Sequence, residues 1–272
     1  MKIYKKIITI IFGLLILSKV FAMESSLYNI KHVNQVFNNN SYRLFIADPK
    51  SNFNGTTLYL LDGNMHFPKA LEAVNSHKPL PRIVAIGYVG EEQYFVPERT
   101  RDYTPKAEGE DFAKGGGADN FLNFIANEAK PFIDTHYSKT ERNLFFGHSF
   151  GGLFGLYTLF TKGGLFDGYI LASPSLWWGN SNWLKDKVLT SRPHFVLLTL
   201  SEYEAYPERD PQVDPDRIKR IQSRRSDFTV EQLYQQLQNE QISSEFVLLP
   251  KVNHGSSIPF ALKLALEKAQ SQ

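Results

Sequence analysis

The sequence predicts an α/β fold with a mostly parallel central sheet and helices on both faces. Short apolar runs alternate with stretches of helical spacing through the middle of the chain, the pattern of βαβ units. Residues 144–160, LFFGHSFGGLFGLYTLF, read as a strand, a sharp turn and a helix in that order. The apolar runs of the second half each end in a polar loop, where the sites of doubly wound sheets lie. At 272 residues with 42% hydrophobic and 14% aromatic content, the chain can bury the core of one such domain. That domain is expected over residues 23–272, behind a secretory signal over residues 1–22.

The signal is read from Lys2, Lys5 and Lys6, the apolar run Ile7 to Leu17, and Val20-Phe21-Ala22. Eleven apolar residues fall short of the roughly 20 that a membrane-spanning helix needs, so cleavage after Ala22 is expected, with an uncleaved anchor as the alternative. The implied location is periplasmic or secreted. From Tyr28 to Pro49 the pattern suits two antiparallel strands joined at Asn38-Asn39-Asn40 and forming the sheet's N-terminal edge. Thr57 to Leu61 is an apolar run ended by Asp62-Gly63-Asn64, and Ile83 to Ile86 is another ended by Gly87, with a helical stretch near Phe67 to Val74 between them. A long polar passage from Gly90 to Gly117 follows, then a helix from about Asn120 to His136. Gly168 to Leu171, Phe195 to Leu200 and Glu245 to Leu249 are the remaining strand candidates.

Gly147-His148-Ser149-Phe150-Gly151 is the G-x-S-x-G pattern of a strand-to-helix elbow that exposes a nucleophilic serine. The flanking glycines are expected because side chains two residues either side of the serine would collide where strand and helix close up. Leu153, Leu156, Tyr157 and Phe160 recur at helical spacing and would face the sheet. A serine hydroxyl needs a base within reach and a third group to orient that base. His254, in the loop after the last predicted strand, is the candidate base. Glu202 and Glu204, in the loop after Phe195 to Leu200, are both candidates for the acid. Ser, acid, His is the chain order of α/β-hydrolases, unlike the two serine protease families with the same triad. Backbone N–H groups of Phe150 and of a residue in the Asp62-Gly63-Asn64 loop would form the oxyanion hole. His148 reads as packing or pocket wall.

Other stretches have two readings each. Arg99 and Arg101 would share a face if extended and could pair with an anionic substrate, or Arg101 could pair with Asp102. Gly115-Gly116-Gly117 reads as a flexible loop or, more faintly, a phosphate cradle. Trp177 and Trp178, in Ser173-Pro174-Ser175-Leu176-Trp177-Trp178, could hold a planar ligand or belong to the core. No cofactor is expected, and the lack of H-E-x-x-H or close His pairs argues against a metal hydrolase. The 30 Lys+Arg and 28 Asp+Glu include four lysines in residues 1–22, so cleavage leaves 26 against 28, a net of −2. Nucleic acid or an anionic membrane as main partner would demand a basic surface, and no stable span is expected after cleavage. Absence of cysteine excludes disulfides, a thiol nucleophile and thiolate zinc sites.

LLDGN at 60–64, RTRDYTP at 99–105, GGADNFL at 116–122, GHSFGG at 147–152 and SPSLWW at 173–178 together resemble the putative-esterase family of α/β-hydrolases. The nearest branch is the siderophore esterases that cleave enterobactin, salmochelin or bacillibactin, and the likeness runs from about Tyr42 to Leu266. It implies the α/β-hydrolase fold and ester hydrolysis by Ser149 and His254, with Asn64 and Phe150 as oxyanion donors. It also implies Glu204 as the acid, since the family's G-x-x-E/D matches Ser201-Glu202-Tyr203-Glu204 with Ser201 in place of glycine. The substrate would be a small-molecule ester, with a siderophore trilactone as one candidate. A general carboxylesterase, an acyltransferase of the same fold, or an inactive binding protein are the competing readings.

Overall fold

The computed structural model describes residues 26–271 apart from 185, 186 and 224; the expected signal over residues 1–22 lies outside them. Eight strands form one sheet in the order β1-β2-β4-β3-β5-β6-β7-β8. β1 (Tyr28–Phe37) and β2 (Asn40–Pro49) make the predicted antiparallel edge. Asn38 and Asn39 turn the hairpin at φ 46° and 63°, the left-handed pair that matches the twist of two strands and that asparagine tolerates best after glycine. β2 pairs antiparallel with β4 (Leu80–Tyr88). All further pairings are parallel, through β3 (Phe53–Leu60), β5 (Arg142–His148), β6 (Gly168–Ala172), β7 (Phe195–Ser201) and β8 (Ser244–Leu249).

Period-two alternation sends side chains to two cores, one on each face. Tyr42, Leu44, Phe145, Val196 and Leu198 join the core that also holds Phe154 and Leu159 of α5 (Phe150–Thr161). Phe45, Leu58, Leu144 and Phe146 join the other, with Phe67 and Leu71 of α1 (Gly63–Glu72) and Ala261 and Leu262 of α9 (Ile258–Gln270). Both faces are thus covered, as a parallel sheet requires.

The polar passage after Gly90 contains α2 (Val96–Tyr103), which the sequence pattern did not reveal. Its apolar positions are few, and it packs largely through charged and tyrosyl side chains. The predicted helix over 120–136 begins slightly earlier, as α3 (Ala118–Phe124), and continues through a π-helical turn, Ile125–Ala129, into α4 (Lys130–His136). The wider turn falls just before Pro131, which has no N–H to donate back along the helix. Between β7 and β8 lie a single turn α6 (Glu202–Ala205), α7 (Pro215–Ser223) and α8 (Val230–Asn239). α8 opens with a full capping box, Thr229 with Gln232. Among the described residues no helix is long and apolar enough to cross a membrane.

Candidate active site

Ser149 sits between β5 and α5 at φ 61°, ψ −120°, a conformation that an L-residue adopts only when its surroundings enforce it. A Cβ on Gly147 would run into the backbone of Gly151, as expected. On the other side of the serine the crowding falls one residue later than expected. A Cβ on Gly151 would sit at ordinary contact, 3.5 Å from Leu61, whereas one on Gly152 would lie 3.0 Å from the Ala172 carbonyl and 3.1 Å from Pro174. The elbow is therefore closed by the Gly147–Gly152 pair, where helix, strand and the Ser173-Pro174 loop meet.

His254 follows β8 and Glu204 follows β7, fifty residues apart in the chain, and the structure joins them: His254 Nδ1 lies 3.0 Å from Glu204 Oε2. Burial opposes ionisation of Glu204, but His254 and the hydroxyl of Ser201 hold its carboxyl below the usual carboxylate range. Ser201 Oγ donates to the same Oε2 at 2.9 Å. The residue that replaces the family's glycine therefore orients the acid. Because a carboxylate only accepts, Nδ1 carries the hydrogen, and neutral His254 presents a bare Nε2 lone pair.

Glu202 is turned elsewhere: Oε2 accepts the Lys251 N–H at 2.8 Å and Oε1 meets Arg209 at 3.3 Å. It ties the loops after β7 and β8 together, and the Lys251 bond keeps its carboxyl ionised. Of the two acids, only Glu204 reaches the imidazole.

Ser149 and His254 line the same cleft without a hydrogen bond between them. The serine hydroxyl instead pairs with Ser175 Oγ at 3.2 Å, and Ser175 N–H donates to the Ser149 carbonyl at 3.2 Å. Ser175 lies within the SPSLWW motif, which was read for its tryptophans. Catalytic hydrogen bonds are often long before substrate enters.

His148 is buried beneath the base, with ring centroids 4.5 Å apart. Its Nε2–H donates to the His254 carbonyl at 2.9 Å, where Ser257 Oγ also donates at 2.8 Å. Burial, with His254 and His66 nearby, pushes the His148 pKa far down and keeps it neutral. It is packed in the interior, one of the two places expected for it, and it also supports the loop that carries His254.

Both residues expected to donate to the oxyanion lie in the first turn of a helix, Asn64 in α1 and Phe150 in α5. Phe150 lies at the first position of α5, where the backbone N–H has no intrahelical acceptor, and it lines the cleft. Asn64, expected to donate from its backbone N–H, commits its side chain elsewhere. Its side-chain oxygen accepts the Tyr88 N–H at 2.9 Å and its amide donates to the carbonyls of Tyr88, at 3.0 Å, and Gly90, at 3.3 Å, clamping the end of β4. Arg99 lines the cleft, gripped by Asp62 through two 2.9 Å bonds and set against the Phe150 ring.

On a helix Arg99 and Arg101 cannot share a face, and Arg101 points away from the cleft, bound to Asp102 at 2.7 and 2.9 Å. The tryptophans also separate. Trp177 lines the cleft, whereas Trp178 is buried behind it, donating from Nε1 to the Pro105 carbonyl at 2.9 Å. Gly116 and Gly117 donate their N–H groups to Thr104 and Arg101 carbonyls, so the glycine loop is packed onto α2 and does not cradle phosphate.

The cleft has a volume of about 780 Å³, within the usual range for small-molecule sites. Its lining includes the aromatic residues Phe150, Trp177 and Phe228. It also includes Arg217, Arg220 and Ile221 of α7, and Arg225. Neither α7 nor its arginines were anticipated from sequence, although Asp214-Pro215 ahead of an amphipathic run is a helix-start signal.

A profile described as "Putative esterase" matches residues 37–223. A siderophore enterobactin esterase of Emericella nidulans is 37% identical over 211 residues, 66% of this chain and 70% of the relative. The ferri-bacillibactin esterase BesA of Bacillus subtilis is 30% identical over 255 residues, 85% of each chain. Among solved structures, the siderophore hydrolase EstA from Aspergillus nidulans superposes with a TM-score of 0.78 at 28% identity, covering 89% of this chain and 94% of the other.

Proposed function

The chain belongs to the putative-esterase family and has the α/β-hydrolase fold of an ester hydrolase, and on that footing we propose that it cleaves ester bonds of a siderophore through an acyl-enzyme on Ser149. The observation that carries this reading is the meeting of the elbow serine with the His254–Glu204 pair in one cleft wide enough for a ring-bearing ester. The siderophore assignment draws on the substrates named for the relatives.

In the reaction, Ser149 Oγ rotates from Ser175 toward His254, gives its proton to Nε2 and attacks the ester carbonyl. The Glu204 carboxylate keeps Nδ1 protonated and stabilises the imidazolium that forms. The oxyanion is met by the Phe150 N–H and by a second backbone N–H from the Asp62-Gly63-Asn64 loop. His254 returns the proton to the departing alkoxide, which leaves as the alcohol. Water then enters, loses a proton to the same nitrogen and attacks the acyl-serine, releasing the acid and restoring Ser149.

The test is turnover of a short-chain aryl ester and of a catecholate trilactone by wild type, Ser149→Ala, His254→Ala and the double variant. Each single change is expected to lower kcat by about 10³-fold or more, and the double little further, because the groups act as one unit. Activity of Ser149→Ala within tenfold of wild type would remove the serine from the mechanism. The protein is also proposed to be exported and to begin near Met23. Intact mass of the native protein checks this, and a mass that retains residues 1–22 on an exported protein would favour the anchored form.

A further inference from the structure

We propose that Ser175 is a further catalytic residue, whose hydroxyl donates a hydrogen bond to Ser149 Oγ as the acyl-enzyme breaks down. The inference rests on the acyl-enzyme reading and adds a group that serves its second half.

Ser175 belongs to the loop after β6, and backbone bonds pin it on both sides. Its N–H donates to the Ser149 carbonyl at 3.2 Å, its carbonyl accepts the Trp178 N–H at 3.1 Å, and the Leu176 N–H closes onto the Pro174 carbonyl at 2.8 Å. The Ser149 N–H in turn donates to the Ala172 carbonyl at 2.9 Å, so the end of β6 and its loop hold the nucleophile and Ser175 in fixed relation. Ser175 is buried, yet it lines the cleft. None of these bonds uses its hydroxyl. Among the described residues the partner of Ser175 Oγ is the reacting atom itself, Ser149 Oγ, at 3.2 Å.

In the free enzyme either hydroxyl can be the donor. Acylation removes the choice, because the Oγ of an acyl-serine has no hydrogen and can only accept. From then on Ser175 is the donor, and the strength of its bond changes along the reaction. The single-bonded oxygen of an ester shares its lone pair with the carbonyl and accepts poorly. Once water has added and the C–Oγ bond breaks, the electron pair of that bond passes to Oγ, which becomes alkoxide-like and accepts strongly. His254 Nε2–H delivers the proton that completes the Ser149 hydroxyl, while Ser175 shares its own hydrogen without giving it up. A bond that is weak in the acyl-enzyme and strong in the transition state lowers the barrier between them. Acylation gains less, since the Ser149 hydroxyl can already accept from Ser175 before attack, and a contact made in both states cancels.

The experiment separates the two halves with a short-chain p-nitrophenyl ester, whose good leaving group makes acylation fast and leaves deacylation to limit kcat. In stopped flow the burst reports acylation and the steady phase deacylation, and intact mass of acid-quenched samples gives the fraction acylated. Ser175→Ala should deacylate about tenfold more slowly, with burst rate and kcat/KM within about threefold of wild type, so that KM falls with kcat and the acylated fraction rises. A loss of packing alone would lower kcat/KM as well. Ser175→Thr, which keeps a hydroxyl, should deacylate within about threefold of wild type. Equal losses in burst rate and deacylation, unchanged deacylation in the alanine variant, or a threonine variant as slow as the alanine one would overturn the assignment and leave the acyl-enzyme reading standing. Absence of any adduct on wild type, together with full activity of Ser149→Ala, would remove that reading and this inference with it.

Discussion

Replacing Glu204 by Gln removes one charge from a position where the structure allows the consequence to be worked out. Its Oε2 takes two donors, His254 Nδ1–H at 3.0 Å and Ser201 Oγ–H at 2.9 Å. Glutamine can offer its oxygen to both, which preserves the imidazole tautomer and deletes only the charge that stabilises the imidazolium. The side chains of His254 and Glu204 are 41% and 27% exposed, so water screens the pair. At about 3 Å, effective dielectric constants of ~20 to ~80 bracket the interaction between ~5.5 and ~1.4 kcal/mol. Partial exposure places it near the middle, ~2.7 kcal/mol, or about 10²-fold in rate. Glu202→Gln should cost less than about threefold, because its contacts with Lys251 and Arg209 hold loops together without touching the imidazole. The assay is kcat and KM for both variants on one aryl ester, with the loss expected in kcat for Glu204. A reversed ranking would move the acid to Glu202, and near-neutral effects of both would leave a Ser149–His254 pair oriented by other groups.

The same carboxylate makes a prediction about acid stability. Its folded pKa lies below the usual carboxylate value of about 4.3, so below that pH the unfolded chain binds more protons than the native one. Its contribution is thus full above about pH 4.3 and disappears as pH falls through the folded value. Urea midpoints measured from neutral pH down to pH 3 should fall less steeply for Glu204→Gln than for wild type, and parallel curves would show that the carboxylate is not stabilised by folding. For His148→Ala, the lost Nε2–H bond to the His254 carbonyl should lower kcat about tenfold with KM little changed, and the buried cavity should cost about 2–3 kcal/mol of stability. His148→Gln, which keeps a donor, should recover part of the rate. Equal rates for the Ala and Gln variants would reduce His148 to packing.

Local chemistry accounts for what the sequence by itself determined. Paired asparagines able to adopt positive φ mark the β1–β2 hairpin, and alternating apolar runs mark the strands. Gly147, Ser149 and Gly151 mark the elbow because close approach of strand and helix is a matter of neighbouring residues, although the tight contact falls at Gly152. The order Ser149, acid, His254, each at the end of a parallel strand, was legible for the same reason, since βαβ connectivity brings those ends to one edge of the sheet. What the tertiary structure alone decided depends on paths of loops far apart in the chain. The residues by themselves left Glu202 and Glu204 both open, with the resemblance alone pointing to Glu204, and in the structure Lys251 and Arg209 draw Glu202 aside. Arg99 reaches the cleft because α2, concealed in a polar stretch, carries it back to Asp62. Trp177 and Trp178, adjacent in sequence, part between cleft and interior, and Arg217 and Arg220 reach the cleft only because α7 packs beside the turn at Pro207–Arg209. Side-chain type and spacing specify which groups are available, whereas long-range packing selects which partners each one meets.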